Sequence, residues 1–315
     1  MAINEQITTE QYAIYNGDSC EVVKAFPAES IHLSIFSPPF ADLYCYSDHP
    51  ADMGNCQNYD EFFAHFGYLI DELYRVTKPG RLCCVHCVDI PAMKERDGYI
   101  GMKDFSGDLI RAFLRSGFIY HSRHLIWKDP LIEATRTKAL GLMHKQLCKD
   151  SAMSRSGLPD YLLGFRKPGE NGEPVVHPEG LSKYCGSNDP GGDGIKRSHN
   201  IWRAYASPVW MDVRQTRTLD ARPGRDPEDE KHLCPLQLDT IERAIMLWSN
   251  PGDTVLTPFM GIGSEVYGAV LNGRRGVGVE LKPSYYNQAA KNIEDAVHAA
   301  NTDDVSRLFS TEDCK

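Results

Sequence analysis

The chain has 315 residues, more than a minimal domain and fewer than two comfortable ones, so one α/β domain with a modest insertion is expected. Hydrophobic residues at 42% and charged residues at 24% exclude wholesale disorder, and ten cysteines are too few for a disulfide scaffold. The opening MAINEQITTEQYAIYNGD lacks the features of a signal peptide, and no stretch reaches the roughly 18 uninterrupted apolar residues of a membrane span. A cytoplasmic protein with reduced thiols and no membrane partner is expected.

Along the chain, short β-rich runs alternate with helical ones. Ala13–Asn16 and Ile31–Ser37 read as strands, the second nearly all apolar, as a buried parallel strand requires. Phe62, Phe63, Phe66, Leu69, Ile70, Leu73 and Val76 recur at helical spacing and predict a helix over Tyr59–Thr77, ended by Lys78-Pro79-Gly80. Arg81–Asp89 predicts a strand, Asp104–Ser116 a helix, and Phe118–Trp127 and Asp160–Arg166 two further strands. From Gly169 to Glu230 the pattern breaks. GSNDPGGDGIKRSHN and ARPGRDPEDE are its least structured stretches, and Trp202 and Trp210 between them mark a part that packs. Order returns with a helix over Pro235–Ser249, strand Thr254–Thr257, helix Ser264–Leu271, strand Gly276–Leu281 and helix Pro283–His298. A polar tail from Asn301 is expected to fray. The alternation predicts an open, mostly parallel sheet with helices on both faces.

The net charge of −9 is unevenly spread. His121–Lys167 carries nine Lys and Arg against four Asp and Glu, and Lys196–Arg225 carries seven against two, each a local excess of +5. Two basic islands in an acidic body suit a polyanion bound on one face, or else two solvated loops.

Two motifs carry chemistry. In TVLTPFMGIGSEVYGAVLNGRRGVGVE a strand, a glycine loop, a helix and a second strand follow one another. Gly261 and Gly263 let the backbone turn sharply and approach a ligand, and Glu280 ends the second strand about twenty residues on, where a carboxylate accepts from both hydroxyls of a ribose. In IHLSIFSPPF a buried strand runs into Ser37-Pro38-Pro39-Phe40. The prolines lock the backbone and remove two donors, so the Ser37 and Pro38 carbonyls are acceptors, and Phe40 is a flat apolar plate. Such a set suits a planar heterocycle bearing an exocyclic amino group.

These residues resemble those of the amino-group DNA methyltransferases, which transfer a methyl group from S-adenosylmethionine to cytosine N4 or adenine N6. That family carries Asp, Asn or Ser, then Pro-Pro, then an aromatic as its catalytic tetrapeptide, matched by Ser37, Pro38, Pro39 and Phe40. Its cofactor loop, D-P-F-x-G-x-G, is matched by Thr257–Gly263, with Thr257 standing where most relatives have Asp, and Ser264-Glu265 replacing the commoner small residues. KHLCPLQ at Lys231–Gln237 resembles the stretch preceding that loop, and NGDSC at Asn16–Cys20 resembles an N-terminal element of the family. The tetrapeptide precedes the loop, which is the circularly permuted arrangement of the β group.

The resemblance implies a Rossmann-like methyltransferase fold and S-adenosyl-L-methionine as cofactor, held by Asp18, Lys231, His232, Pro235, Thr257, Phe259, Gly261, Gly263, Ser264 and Glu280. It implies a catalytic half over residues 1–168 with an insertion near 131–159, a target-recognition segment over 169–230, a cofactor-binding half over 231–300 and the tail 301–315. Double-stranded DNA is the implied partner. Arg136, Lys138, Lys145, Lys149 and Arg155 in the first island, and Lys196, Arg197, Arg203, Arg214 and Arg217 in the second, are the candidate DNA contacts. A bacterial or phage restriction-modification setting and a homodimer accord with the resemblance. Ser at the first tetrapeptide position favours cytosine N4 over adenine N6. A non-catalytic DNA-binding protein on a degenerate scaffold is the rival from another class, with Thr257 as its support; methylation of RNA or protein amides is a third reading.

The base must leave the duplex to be reached, with Phe40 stacking on it, and Tyr44 and Tyr46 stand in the loop that follows. Cys83, Cys84, His86 and Cys87 alternate across a strand, so one tetrahedral metal site does not collect them, and no metal is expected. His121, His124 and His144 read as surface residues or phosphate neighbours.

Overall fold

In the computed structural model, which describes residues 3–40, 52–56, 58–92, 94–224 and 235–309, the chain begins with β1 (Ile3–Thr8), β2 (Tyr12–Gly17), α1 (Ser19–Lys24) and β3 (Ile31–Phe36). Then come α2 (Tyr59–Val76), β4 (Thr77–Cys87), β5 (Ile90–Ala92), α3 (Lys94–Asp97), β6 (Gly101–Lys103), α4 (Phe105–Arg115) and β7 (Ile119–Ile126). The middle holds α5 (Pro130–Thr137), α6 (His144–Leu147), β8 (Asp160–Arg166), α7 (Gly194–Tyr205) and β9 (Val209–Trp210). The last elements are α8 (Leu238–Trp248), β10 (Thr254–Thr257), α9 (Ser264–Leu271), β11 (Arg275–Glu280) and α10 (Pro283–Phe309).

Nine strands form one sheet in the order β1-β2-β11-β10-β3-β4-β8-β7-β9, and β5 pairs with β6 in a small hairpin. From β2 to β4 all neighbours are parallel; β1 and β8 run antiparallel to theirs, and β9 runs parallel to β7. The expected mostly parallel sheet is therefore present, closed at one side by an antiparallel pair. β3 crosses to β4 through α2 on one face, whereas β10 crosses to β11 through α9 on the other. Their crossovers diverge, so a crevice opens at the carboxyl ends of β3 and β10, the switch point where open α/β sheets bind ligands.

Period-2 alternation sorts the core. Phe36, Cys83, Val85, Cys87, Leu163 and Phe165 pack against α1, α2 and α4 on one face. Leu33, Ile35, Leu82, Cys84 and Leu162 pack against α8 and α9 on the other, and Tyr12 and Ile14 extend that layer to α10. Each fully buried Phe or Leu of these layers contributes about 1.5–3 kcal/mol. At the opposite, amino-terminal edge of the sheet, buried Arg81 donates to Asp253 at 2.6 Å, and His32 and Lys78 bond to Glu173.

Several boundaries depart from expectation. Lys78-Pro79-Gly80 does not separate α2 from the next strand, because β4 runs through it: the pairing jumps from Ile31↔Thr77 to Leu33↔Leu82, a bulge in which proline needs no ladder donor. Gly80 takes φ +73° there and donates to the Lys167 carbonyl. β1 and α1 were not expected, α1 being only six residues long and started by Asp18. Helix α7 occupies part of the stretch read as least structured, because Ile201 and Tyr205 find apolar partners in Leu181 and in Met246 and Leu247 of α8. α10 continues past His298 to Phe309, through sequence without Gly or Pro. Among the described residues no helix is long and apolar enough to cross a membrane.

Candidate active site

Glycine geometry shapes the loop after β10. Gly261 has φ +52° and Gly263 φ +91°, conformations that a side chain resists, and Gly263 caps α9. A Cβ on Gly261 would meet nothing within 4 Å, so the backbone faces open space, whereas one on Gly263 would press on Ala289. Glu280, at the end of β11, accepts from the Gly261 amide at 2.7 Å and from the Lys282 amide at 2.9 Å. Burial pushes its carboxyl up to about 7, against the pull of those amides. Glu265, buried in the first turn of α9, is pushed up to about 8 by desolvation and by the neighbouring charge of Glu280.

The N-terminal element joins this loop. Ser19 donates to the Pro258 carbonyl at 2.5 Å, and Asn16 donates to the Glu280 and Leu281 carbonyls. Asp18 caps α1 by accepting from the Cys20 amide. Phe259 packs its ring on Phe36 and Phe66, so its role includes core packing. Ser264 is buried in the first turn of α9, and Pro235 is half-buried ahead of α8. Lys231 and His232 lie outside the described residues, as do Tyr44 and Tyr46.

The residues present fit S-adenosylmethionine. Thr257 is 1% exposed, and its Oγ1 has no partner among the described residues, at the carboxyl end of β10 where the open glycine loop begins. The Glu280 carboxylate, on the adjacent strand, would be the acceptor for the ribose hydroxyls of that cofactor. The departure from Asp to Thr removes a charge and leaves a hydroxyl in place.

β3 delivers the tetrapeptide beside this loop, since Leu33 and Ser34 pair with Val255 and Leu256 of β10. Pro38 is buried, while Ser37, Pro39 and Phe40 are partly exposed. The Phe40 ring packs on one side toward Phe105, with centroids 6.1 Å apart. Ser37 Oγ lies 2.9 Å from His86 Nδ1, and His86 Nε2 lies 3.3 Å from Asp160 Oδ2 at an angle short of a regular hydrogen bond. Asp160 in turn holds the ammonium of Lys128. Burial alone would raise the Asp160 carboxyl, but His86 and Lys128 outweigh it and hold it below the ordinary value. His86 and Asp160 were missed in the sequence: His86 reads as a core residue of a cysteine-rich strand, and only the pairing of β3 with β4 and β4 with β8 brings the three together.

The DNA-facing candidates separate. Residues 127–159 leave the sheet at the carboxyl end of β7 and return at Asp160, on the side where the tetrapeptide lies. Lys138, Lys145 and Lys149 are exposed there, while Arg155 lies 3.7 Å from Glu133; the Arg136 side chain is outside the described residues. The second island is drawn largely into ion pairs within the fold. Arg214 and Arg217 direct their guanidiniums to Asp239 and Glu242 at the head of α8, at 2.6–2.9 Å, because buried carboxylates there require partners. Arg197 pairs with Asp189. Lys196 and Arg203 are exposed on α7, but α7 packs on the half of α8 that leads to the start of β10, away from the crevice. His124 is likewise no surface residue: it stacks on Trp210 at 4.5 Å and bonds to the Ser207 carbonyl. His121 and His144 are exposed.

Comparison with known proteins agrees with this arrangement. The orphan methyltransferase M.BamHII of Bacillus amyloliquefaciens is 27% identical over 284 residues, covering 85% of this chain and 90% of its own. TTHA0409 of Thermus thermophilus, solved in complex with S-adenosyl-L-methionine, superposes with a TM-score of 0.65 at 22% identity, covering 90% of this chain and 93% of its own. The cytosine-N4-specific PvuII DNA methyltransferase superposes with a TM-score of 0.61 at 19% identity, covering 95% of each chain. These superpositions establish the Rossmann-like methyltransferase fold. The sequence model of the N6/N4 DNA methylases matches residues 31–291, from β3 into α10. A match over so much of the chain places it: it belongs to the N6/N4 DNA methylase family, enzymes that methylate DNA with S-adenosylmethionine as donor.

Proposed function

We propose that the protein methylates the exocyclic amino group of a base flipped out of double-stranded DNA, cytosine N4 in preference to adenine N6. The observation that carries the reading is the adjacency of the Ser37–Phe40 tetrapeptide to the Thr257–Gly263 loop, at the ends of paired strands. A ring-conjugated amine is a poor nucleophile because its lone pair is delocalised. Hydrogen bonds accepted by Ser37 Oγ and the Pro38 carbonyl draw the nitrogen toward tetrahedral geometry and localise that pair. Phe40 stacks on the extruded ring, which is unreachable inside a duplex. Glu280, Thr257 and the Gly261 backbone hold the donor, which supplies an electrophilic methyl group when bound.

Lys138, Lys145 and Lys149, exposed on the segment that leaves and rejoins the sheet beside the tetrapeptide, neutralise phosphates. The preference for cytosine rests on Ser37, since adenine enzymes of the resembling family more often carry Asp or Asn there. The test is to incubate the protein with DNA of mixed sequence and S-adenosylmethionine, digest to nucleosides and weigh the products. N4-methylcytosine is expected; N6-methyladenine would move the target atom, and no methylated base would overturn the reading.

A further inference from the structure

We propose that His86, oriented by Asp160, polarises Ser37 and carries away the proton that the methylated amine must lose. The inference rests on the proposed function above, since it assigns a partner to the same tetrapeptide.

Alternation and register bring these residues together. Ser37 continues the face of β3 that carries Leu33 and Ile35; His86 lies on the face of β4 with Leu82 and Cys84; Asp160 lies on the face of β8 with Leu162. β3, β4 and β8 are successive neighbours, so three polar side chains line up across three strand ends on one face. Ser37 Oγ is 2.9 Å from His86 Nδ1, and Asp160 Oδ2 is 3.3 Å from Nε2. His86 is 8% exposed and Asp160 2%, so neither is an ordinary surface group.

The chemistry follows from donor and acceptor inventory. An ionised Asp160 only accepts, so the proton of neutral His86 belongs on Nε2, and Nδ1 is left to accept from the Ser37 hydroxyl. With its hydrogen directed at His86, Ser37 Oγ turns its lone pairs outward, ready to accept from the substrate amine. After methyl transfer the amino nitrogen is cationic and must shed a proton. Its N–H bond breaks with the electron pair staying on nitrogen; the proton passes to Ser37 Oγ while the Ser37 proton passes to His86 Nδ1. The resulting imidazolium is stabilised by Asp160 and later releases its proton to solvent. No oxidant, reductant or co-reactant is needed.

Among the described residues, Asp160 from β8, Lys128 beyond it just after β7, and Ser37 from β3 are the polar groups set against the His86 ring. Cys87, Asp89 and Arg123 belong to the neighbouring environment across the strand. His86 is thus a positioning residue and proton carrier, acting through Ser37.

The test measures kcat against pH for the wild type, Ser37→Ala, His86→Asn and Asp160→Asn, with S-adenosylmethionine affinity by calorimetry as a check that each variant is folded. Wild-type kcat is expected to fall at acid pH, where a protonated His86 no longer accepts from Ser37. His86→Asn keeps an acceptor for the hydroxyl but takes up no proton. It should lower kcat by about 100-fold, at the lower end of proton-transfer catalysis, and lose the acid limb while cofactor affinity holds. Asp160→Asn removes the charge that steadies the imidazolium and should lower kcat while cofactor affinity holds. If the wild type and His86→Asn share the same kcat and acid limb while Ser37→Ala is impaired, the relay is wrong and the function stands. If the wild type methylates no DNA, both fall.

Discussion

Glu280 is the side chain at which the fold meets the proposed cofactor site. Its carboxylate already accepts from the Gly261 and Lys282 amides, and burial still lifts it to about 7 from an ordinary 4.5. Glu265 is lifted to about 8. In the unfolded chain both ionise near 4.5; in the fold both retain protons until pH 7–8. Their contribution to stability is therefore fully present below 4.5 and lost as pH rises through 7 to 8. Urea unfolding of the cofactor-free protein should show that decline, and Glu280→Gln should flatten its part of it. For ligand binding the sign reverses: the ribose hydroxyls need a charged acceptor, so S-adenosylmethionine affinity should weaken as pH falls below about 7. Glu280→Ala should raise the dissociation constant about tenfold or more, as expected for hydrogen bonds to a charged group at about 1.5–3 kcal/mol. Unchanged affinity in calorimetry would remove the loop from the cofactor site. Phe40 is the complementary case. Phe40→Ala should cost turnover about 1–3 kcal/mol of base stacking while leaving cofactor affinity alone, and equal losses in both would show the ring serves the cofactor.

Among the elements, α8 does the most to hold the irregular middle of the chain in place. Arg243, fully buried, donates to Asp212 and to the Cys185 carbonyl and lies over the rings of Tyr184, Tyr205 and Trp210. Asp239, one turn earlier, and the adjacent Glu242 hold Arg214 and Arg217. The segment between β8 and α8 is thus attached by ions as well as by apolar contacts, Trp210 and Val213 joining the main core and α7 adding a small cluster. Breaking such a pair costs more than the pair is worth, because the surviving charge stays buried. Arg243→Leu is expected to lower unfolding free energy by about 3–5 kcal/mol, measured by urea denaturation. A loss below about 1 kcal/mol would mean that Asp212 finds water when its partner is gone.

At the scale of the whole molecule, the charge segregation has a different meaning from the one composition suggests. Only the first basic island leaves the sheet beside the tetrapeptide; the second is partly neutralised by Asp239, Glu242 and Asp189 and partly carried away on α7. If residues 127–159 face DNA, replacing Lys138, Lys145 and Lys149 with Gln should flatten the slope of log K against log salt by up to about 2.7, at about 0.9 per phosphate contact. Lys196→Gln with Arg203→Gln should leave the slope unaltered. The reverse pattern in binding titrations at several salt concentrations would put the duplex against α7.

Local chemistry was enough to identify the two motifs, because glycine conformation, proline rigidity and strand alternation act over a few residues. Thr254–Thr257, Ser264–Leu271 and Asp160–Arg166 match the observed elements residue for residue, while the permuted order of the motifs is what the family resemblance implies. The tertiary structure alone decided what each polar side chain faces. Nothing in CCVHC tells that His86 meets a serine 49 residues earlier and an aspartate 74 residues later, since that depends on which strands pair. Nor does an arginine-rich loop announce that Asp239 and Glu242 will claim its charges. A buried carboxylate takes the nearest cation whatever its distance in sequence, because leaving it unpaired is strongly destabilising.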